Sequence, residues 1–290
     1  MKVKQQVERI MNAVFLLCGM VSIAAVALIT LYMIWAGLPA IIEVGPVDFL
    51  FGTVWKSTAA DPKFGILPFI LTSVWGMVGA LLLGVPVGVL TAVFLAKLAP
   101  EKLANLVRPA VELLAGIPSV VYGLIGMIVL VPAVMDFFKL KSGSNLFSAI
   151  LVLTIMVLPN IISVSETALR AVPKEYEEAS LGLGATWIET VFRVSIPAAR
   201  SGIVAGIVLG AGRAVGEAMA VMMVAGNVAN MPGLFKSVRF LTTAVASEMS
   251  YAADGSLQKQ ALFSIGLVLF VFIMLINWGL HKFLKRGEDQ

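Results

Sequence analysis

An all-α membrane protein with six transmembrane helices is the fold class this sequence predicts, on three observations. Hydrophobic residues make up 59% of the 290-residue chain and charged residues 13%, with a mean hydropathy of +0.97; a soluble domain runs at roughly 45–50% apolar and 25% charged. Six apolar runs are each long enough to cross about 30 Å of hydrocarbon, which takes some 20 helical residues. The Lys and Arg residues lie mostly in the segments between those runs, more densely on alternate segments.

The first run, Met11 to Leu38, follows a basic start (Lys2, Lys4, Arg9). It is too long for a signal-peptide core and no small-residue cleavage site closes it, so it is expected to be a retained span. The next runs are Ile66 to Leu98, Ala110 to Met135, Leu146 to Val164, Ile203 to Asn227 and Gln260 to Leu280. Thirteen of the 21 Lys and Arg fall on the side of the N-terminus, seven fall on the other, and Arg213 stays inside a span. By the positive-inside rule both termini are expected to be cytoplasmic.

Prolines interrupt several runs, at Pro86, Pro118, Pro132 and Pro159. Each is read as a kink that frees a backbone carbonyl, tolerated in a membrane only where protein or a wet cavity satisfies it. Plain structural kinks in a bundle are the alternative to a transport pathway. The segments between spans that are expected outside, Pro39 to Gly65 and Val228 to Lys259, are rich in turn residues and too short for a domain.

Composition excludes several functions. One cysteine, Cys18, leaves no intrachain disulfide, and with one histidine, His281, no His/Cys metal cluster or other metal site is expected. There is no basic, aromatic-interleaved patch for nucleic acid. The chain lacks the G-x-x-x-x-G-K-[ST] phosphate loop and the H-E-x-x-H pair, so neither ATP hydrolysis nor metalloproteolysis is expected of it, and no cofactor is implied.

Two features carry functional information. The fifth run, "GIVAGIVLGAGRAVGEAMAVMMVAGN", holds two opposite charges, Arg213 and Glu217. A charge at mid-bilayer costs about 2.5–3.5 kcal/mol on the insertion scale, so it needs a partner, a wet cavity or a ligand. On one continuous helix Gly202, Gly206, Gly210, Arg213 and Glu217 share a stripe along which another helix can pack. An i,i+4 ion pair that neutralises itself is one reading. The other is an Arg213 fork offered to an oxyanion, with Glu217 as its resting partner.

The second feature is "ETALRAVPKEYEEASLGLGATWIETVFRVSIPAARSG", between the fourth and fifth runs. Pro173 suits a first helical turn, with Glu175, Glu177 and Glu178 favouring its positive end. Gly182 and Gly184 punctuate it, and Thr186 with Glu189 forms a capping-box pattern for a second helix, Trp187 to Val194, which Pro197 stops before the next span. A helix-turn-helix outside the membrane is predicted, carrying Leu181, Leu183, Trp187, Ile188, Val191 and Phe192. It either packs on its own bundle or serves as a docking site.

This segment resembles the EAA loop of ABC-importer permeases: Glu-Ala-Ala, three residues, Gly, nine residues, Ile-x-Leu-Pro. Here stand Glu178, Ala179, Ser180, Gly184, and then Val194, Ser195, Ile196, Pro197 at the same spacing. "FGILPFILTSVWG", "PAVELLAGIPSVVYGLIGMIVLVP", "GAGRAVGEAMAVMMVAGN" and "ASEMSYAADGSLQKQALFSIGLVLF" are similar to the PstC-type phosphate permease family. The resemblance implies a type I ABC importer permease (MetI-like) fold with a cytoplasmic coupling helix. It implies an N-terminal helix and external loop over 1–65, a permease domain over 66–281 with its coupling loop at 173–197, and a cytoplasmic tail over 282–290. Implied partners are two copies of a separate ATPase, a second permease of the PstA type, an external phosphate-binding protein and the lipid around the spans. Glu178, Ala179, Gly184 and Pro197 would couple to the ATPase, and Arg213 and Glu217 would line the phosphate pathway. A PstA-type permease, a permease for another oxyanion, and an ATP-independent secondary transporter using Arg213 and Glu217 as coupling charges stay open as alternatives.

Overall fold

The structure, a computed structural model, describes residues 2–285, and side chains at position 8 and over 10–279. Apart from one two-stranded hairpin, the regular structure described is helical. In chain order the helices are α1 (Lys2–Val44), α2 (Pro46–Phe51), α3 (Leu67–Val93), α4 (Glu101–Gly116), α5 (Ser119–Ile125), α6 (Val131–Phe137), α7 (Leu146–Arg170), α8 (Lys174–Gly182), α9 (Trp187–Thr190), α10 (Ile196–Ala198), α11 (Arg200–Gly216), α12 (Met219–Val224), α13 (Leu241–Glu248) and α14 (Leu257–Lys285). Strands β1 (Trp55–Lys56) and β2 (Lys63–Phe64) pair antiparallel, Trp55 opposite Phe64. Wide π-helical turns continue α3 over Phe94–Leu98, α5 over Gly126–Leu130 and α9 over Val191–Ser195.

Among the described residues five helical segments are long and apolar enough to cross a membrane: Ile10–Val44, Leu67–Leu98, Ser119–Phe137, Leu146–Arg170 and Leu257–Gly279. By that measure a sixth is reached only by joining Trp187–Ala198 to Arg200–Gly216, which meet at a 68° bend. The expected fifth span is instead divided. α11 has 17 residues, about 25 Å at 1.5 Å per residue, which is short of the hydrocarbon thickness. The chain then breaks at Glu217 and resumes as α12.

α7 is the central post, with α3 and α11 both laid along it. Its inward face buries Leu153, Met156, Val157 and Ile161, against Ala80 of α3 and Ala214 of α11. The glycine stripe expected on α11 is present and explains how closely it approaches. A Cβ on Gly202 would stand 2.2 Å from that of Ala168, one on Gly206 3.2 Å from Val164, and one on Gly210 3.1 Å from Ile161. Any side chain there would push the two helices apart, as in small-residue seams of membrane bundles generally. α1 packs mainly on α14, with Gly37 against the Phe263–Ser264 backbone, and leaves most of its surface facing outward.

Four sequence expectations are corrected here. The run Ala110 to Met135 is not one span: Ala110 to Gly116 belongs to α4, an amphipathic helix that buries Ala104 and Val111. Pro118 therefore does not kink a span but caps the start of α5, where its fixed φ suits a helix entry. The fourth span runs past Val164 to Arg170, carrying Glu166 with it, because Arg108 from α4 and Arg170 neutralise that carboxylate at 2.5 and 3.0 Å. α14 continues through Lys285, and the remainder of the expected tail, 286–290, lies outside the described residues.

Candidate substrate pathway and docking loop

The break in the fifth span creates the first site. Glu217 takes an extended conformation (φ −72°, ψ 126°), and Ala218 returns the chain to helix. A break inside a membrane strands the last carbonyls of one helix and the first N–H groups of the next, and each must find a partner. Two are supplied locally. The Glu217 carboxylate accepts from the Ala220 N–H at 2.9 Å, capping α12, and the Glu217 carbonyl accepts from Thr242 Oγ1 of α13 at 2.7 Å. Ala220 in turn lies against Gly123 of α5, where a Cβ would stand 2.8 Å from the Ala220 Cα. The break is thus held by α5 on one side and α13 on the other.

Arg213 sits one turn before the break and is half-buried. Gly210, three residues earlier, packs against Ile161 and Val157, near the middle of α7, which puts Arg213 near mid-depth of the bundle. Among the described residues it forms no ion pair, and the i,i+4 pair expected with Glu217 is absent. The physical reason is the break: Glu217 is no longer on the helix that carries Arg213, and its carboxylate is occupied by α12. The phenol of buried Tyr122 lies within electrostatic reach of Arg213 and donates to the Leu114 carbonyl at 2.7 Å, tying α5 back to α4.

The second site is the loop after α7. Pro173 caps α8, α8 ends at Gly182, and Gly184 turns the chain at φ +90°, a left-handed conformation that costs a side chain about 1–2 kcal/mol. The Thr186–Glu189 capping box forms on both sides: Glu189 N–H donates to Thr186 Oγ1, and the Thr186 N–H donates to the Glu189 carboxylate. The regular α-helix that follows is shorter than expected, ending at Thr190 before the π-helical turn. Pro197 does not stop that helix. It lies inside the short α10, just before the 68° bend into α11.

Glu178, Ala179, Gly184 and Pro197 are all exposed, as are Leu181, Leu183, Trp187, Ile188 and Phe192, with Leu183 91% exposed. Of the apolar residues singled out in the sequence, Val191 is buried. An apolar cluster left this open is a candidate interaction surface.

Sequence reasoning missed what fastens this loop. Glu177, next to Glu178 but 7% exposed, pairs with Lys97 at 2.5 Å and accepts from Ser195 Oγ at 2.7 Å. Burial alone would raise the Glu177 pKa, but the Lys97 and Ser195 hydrogen bonds outweigh it and hold the carboxyl below its usual range. Removing one partner of such a buried pair typically costs about 3–5 kcal/mol. A second network closes the opposite end. Glu248 accepts from Trp55 Nε1 (3.1 Å), Ser57 Oγ (2.8 Å) and Gln258 Nε2 (3.2 Å) and pairs with Arg239, which also donates to the Asn227 carbonyl.

A polytopic helical protein with a discontinuous span, a mid-depth arginine in no ion pair among the described residues and an exposed apolar loop is built like the membrane component of a transporter. The same fold occurs in the inward-facing MetNI methionine ABC transporter, at a TM-score of 0.59 and 21% identity over 77% of this chain and 95% of that one. It occurs too in a bacterial alginate ABC transporter, at 0.63 and 17% over 94% of each chain. The chain belongs to the family of binding-protein-dependent transport system inner membrane components, whose pattern matches residues 84–287. Among relatives, a probable ABC transporter permease protein, YqgH of Bacillus subtilis, is 40% identical, over 90% of this chain and 87% of its own length. The phosphate transport system permease protein PstC of Pasteurella multocida is 36% identical, over 79% and 77%. PstC of Haemophilus influenzae is likewise 36% identical, over 79% and 78%.

Proposed function

We propose that this chain is the PstC-type permease subunit of an ATP-driven importer that carries inorganic phosphate across the cytoplasmic membrane by alternating access. One observation carries the reading: at mid-depth, beside a break in its own span, Arg213 forms no ion pair among the described residues. A guanidinium there is costly unless a ligand supplies the countercharge, and its planar fork matches two oxygens of a tetrahedral oxyanion. The PstC relatives favour phosphate as that oxyanion.

In this reading Glu217 serves the site indirectly. By capping α12 and presenting its carbonyl to Thr242 it stabilises the break, which leaves Arg213 in the last turn of α11. The docking loop, with Glu178, Ala179, Gly184 and Pro197 on its exposed surface, receives a separate ATPase subunit, in two copies per complex. That subunit hydrolyses ATP, since this chain has no phosphate loop. A second permease of the PstA type and an external phosphate-binding protein complete the importer. The distribution of Lys and Arg supports cytoplasmic termini and a cytoplasmic docking loop. The N-terminal unit over 1–65 and the permease unit over 66–281 are then the working division of the chain.

The deciding experiment is phosphate uptake into vesicles carrying the reconstituted complex. Uptake that requires ATP and the binding protein is expected; uptake driven by an ion gradient without ATP would overturn the reading in favour of a secondary transporter.

A further inference from the structure

Glu177 and Glu178 are neighbours on α8, yet they face different ways: Glu178 is exposed and Glu177 buried. One step of 100° separates the surface offered to a partner from the surface fastened to the bundle. What Glu177 is fastened to is the last turn of α3.

That turn, Phe94–Leu98, is a meeting point of four elements. Lys97 Nζ pairs with Glu177 of α8, both side chains 9% exposed. The Lys97 carbonyl accepts from Trp187 Nε1 of α9 at 3.2 Å. Two residues earlier, the Leu95 carbonyl accepts from Arg108 of α4 at 3.2 Å, and Arg108 Nε holds Glu166 of α7 at 2.5 Å. The last carbonyls of any helix lack partners within it, so this turn has acceptors to offer, and the loop and α4 take one each. α4 reaches on to Tyr122 through the Leu114 carbonyl.

We infer that Lys97 is a positioning residue for transport: held by its side chain to α8 and by its carbonyl to α9, it passes movement of the docking loop into α3, and through Arg108 into α4 and α7. The inference rests on the docking-loop reading proposed above. A buried carboxylate held by both Lys97 and Ser195 does not slide, so a displacement of α8 must carry the end of α3 with it. The surface ion pairs of the molecule impose no such constraint.

The test compares ATP hydrolysed with phosphate imported in the reconstituted complex for Lys97→Met, Glu177→Gln, the double substitution and Lys97→Arg. In the single variants, hydrolysis stays within about twofold of the unaltered complex while ATP spent per phosphate rises roughly fivefold or more, the range of an ordinary coupling energy. The double variant adds little to either single loss, as residues acting through one contact require, and Lys97→Arg, which keeps the charge, stays coupled. An unchanged ratio in assembled single variants overturns the inference and leaves the docking reading standing. An unaltered chain that retains no ATPase subunit overturns both. If a single substitution prevents assembly, the exchanged pair Lys97→Glu with Glu177→Lys decides. Restored coupling supports the role, whereas an uncoupled or unassembled complex makes the pair merely structural and overturns it.

Discussion

Glu217 binds the Ala220 backbone N–H at 2.9 Å and forms no ion pair with Arg213, although the two residues are four apart in sequence. This separation leaves Glu217 on the backbone of α12 and Arg213 in the last turn of α11. It follows from the chain leaving the α-helical region at Glu217 itself.

The first prediction concerns these two residues. Arg213→Gln should nearly abolish phosphate uptake while the complex still assembles, because the fork is lost and, among the described residues, no ion-pair partner is orphaned. Glu217→Gln should impair uptake less, since an amide oxygen still accepts from Ala220. Glu217→Ala should impair it more and cost stability of about 1 kcal/mol, the usual worth of a helix cap. Exchanging the charges, Arg213→Glu with Glu217→Arg, should leave transport lost, as the pair is not a structural unit. Uptake assays beside thermal melts of each complex check all four, and full transport by the exchanged pair would remove Arg213 from the pathway.

The helices of this protein were legible because an apolar run of 20 or more residues has few other uses, and the docking loop was legible because its signals are local. Thr186 and Glu189 are three residues apart and form the box that spacing predicts. The break at Glu217 was not legible: Gly216 and Ala218 flank it, but both also occur inside helices, and the partners that stabilise the break, Gly123 and Thr242, are distant in sequence. The Lys97–Glu177 pair spans 80 residues and Arg108–Glu166 spans 58, so only the folded chain brings them together. Pro118 was misread for a related reason. A proline within an apolar stretch fits a kink and a helix start equally, and what decides is that α4 buries its own face.

The second prediction concerns Gly184. A Cβ there would meet nothing within 4 Å, so the fold itself leaves room for a side chain, but φ +90° strains most residues. Gly184→Asn, which tolerates the left-handed region, should fold and retain most ATPase binding. Gly184→Trp should lose it by obstructing the docked surface. Co-purification of the ATPase with each variant is the readout, and equal retention by both would count against the docking surface.

The third prediction fixes orientation. With Cys18 replaced, a cysteine at exposed Thr58 or Tyr251 should react with an impermeant thiol reagent added outside. One at Leu183, 91% exposed on the docking loop, should react only after permeabilisation. The reverse pattern would place the loop outside the cell and away from any ATPase.

The fourth prediction is a pH dependence of the docking loop. The folded Glu177 carboxyl is held below its ordinary range chiefly because Lys97 and Ser195 together overcome the effect of burial. A carboxyl with a lowered folded pKa binds fewer protons in the native state than in the unfolded one, so it adds stability above the unfolded pKa of about 4.3 and loses it as pH falls through the folded value. Hydrogen-exchange protection of α8 should therefore be level from neutral pH down to about pH 5 and decline only below the ordinary glutamate range. Glu177→Gln should lower protection at neutral pH, because Lys97 is left buried without its countercharge, and should flatten the acid decline. An unaltered acid decline in that variant would assign the effect to another carboxylate, with Glu189, whose carboxyl is held down by Thr186, as the first to examine.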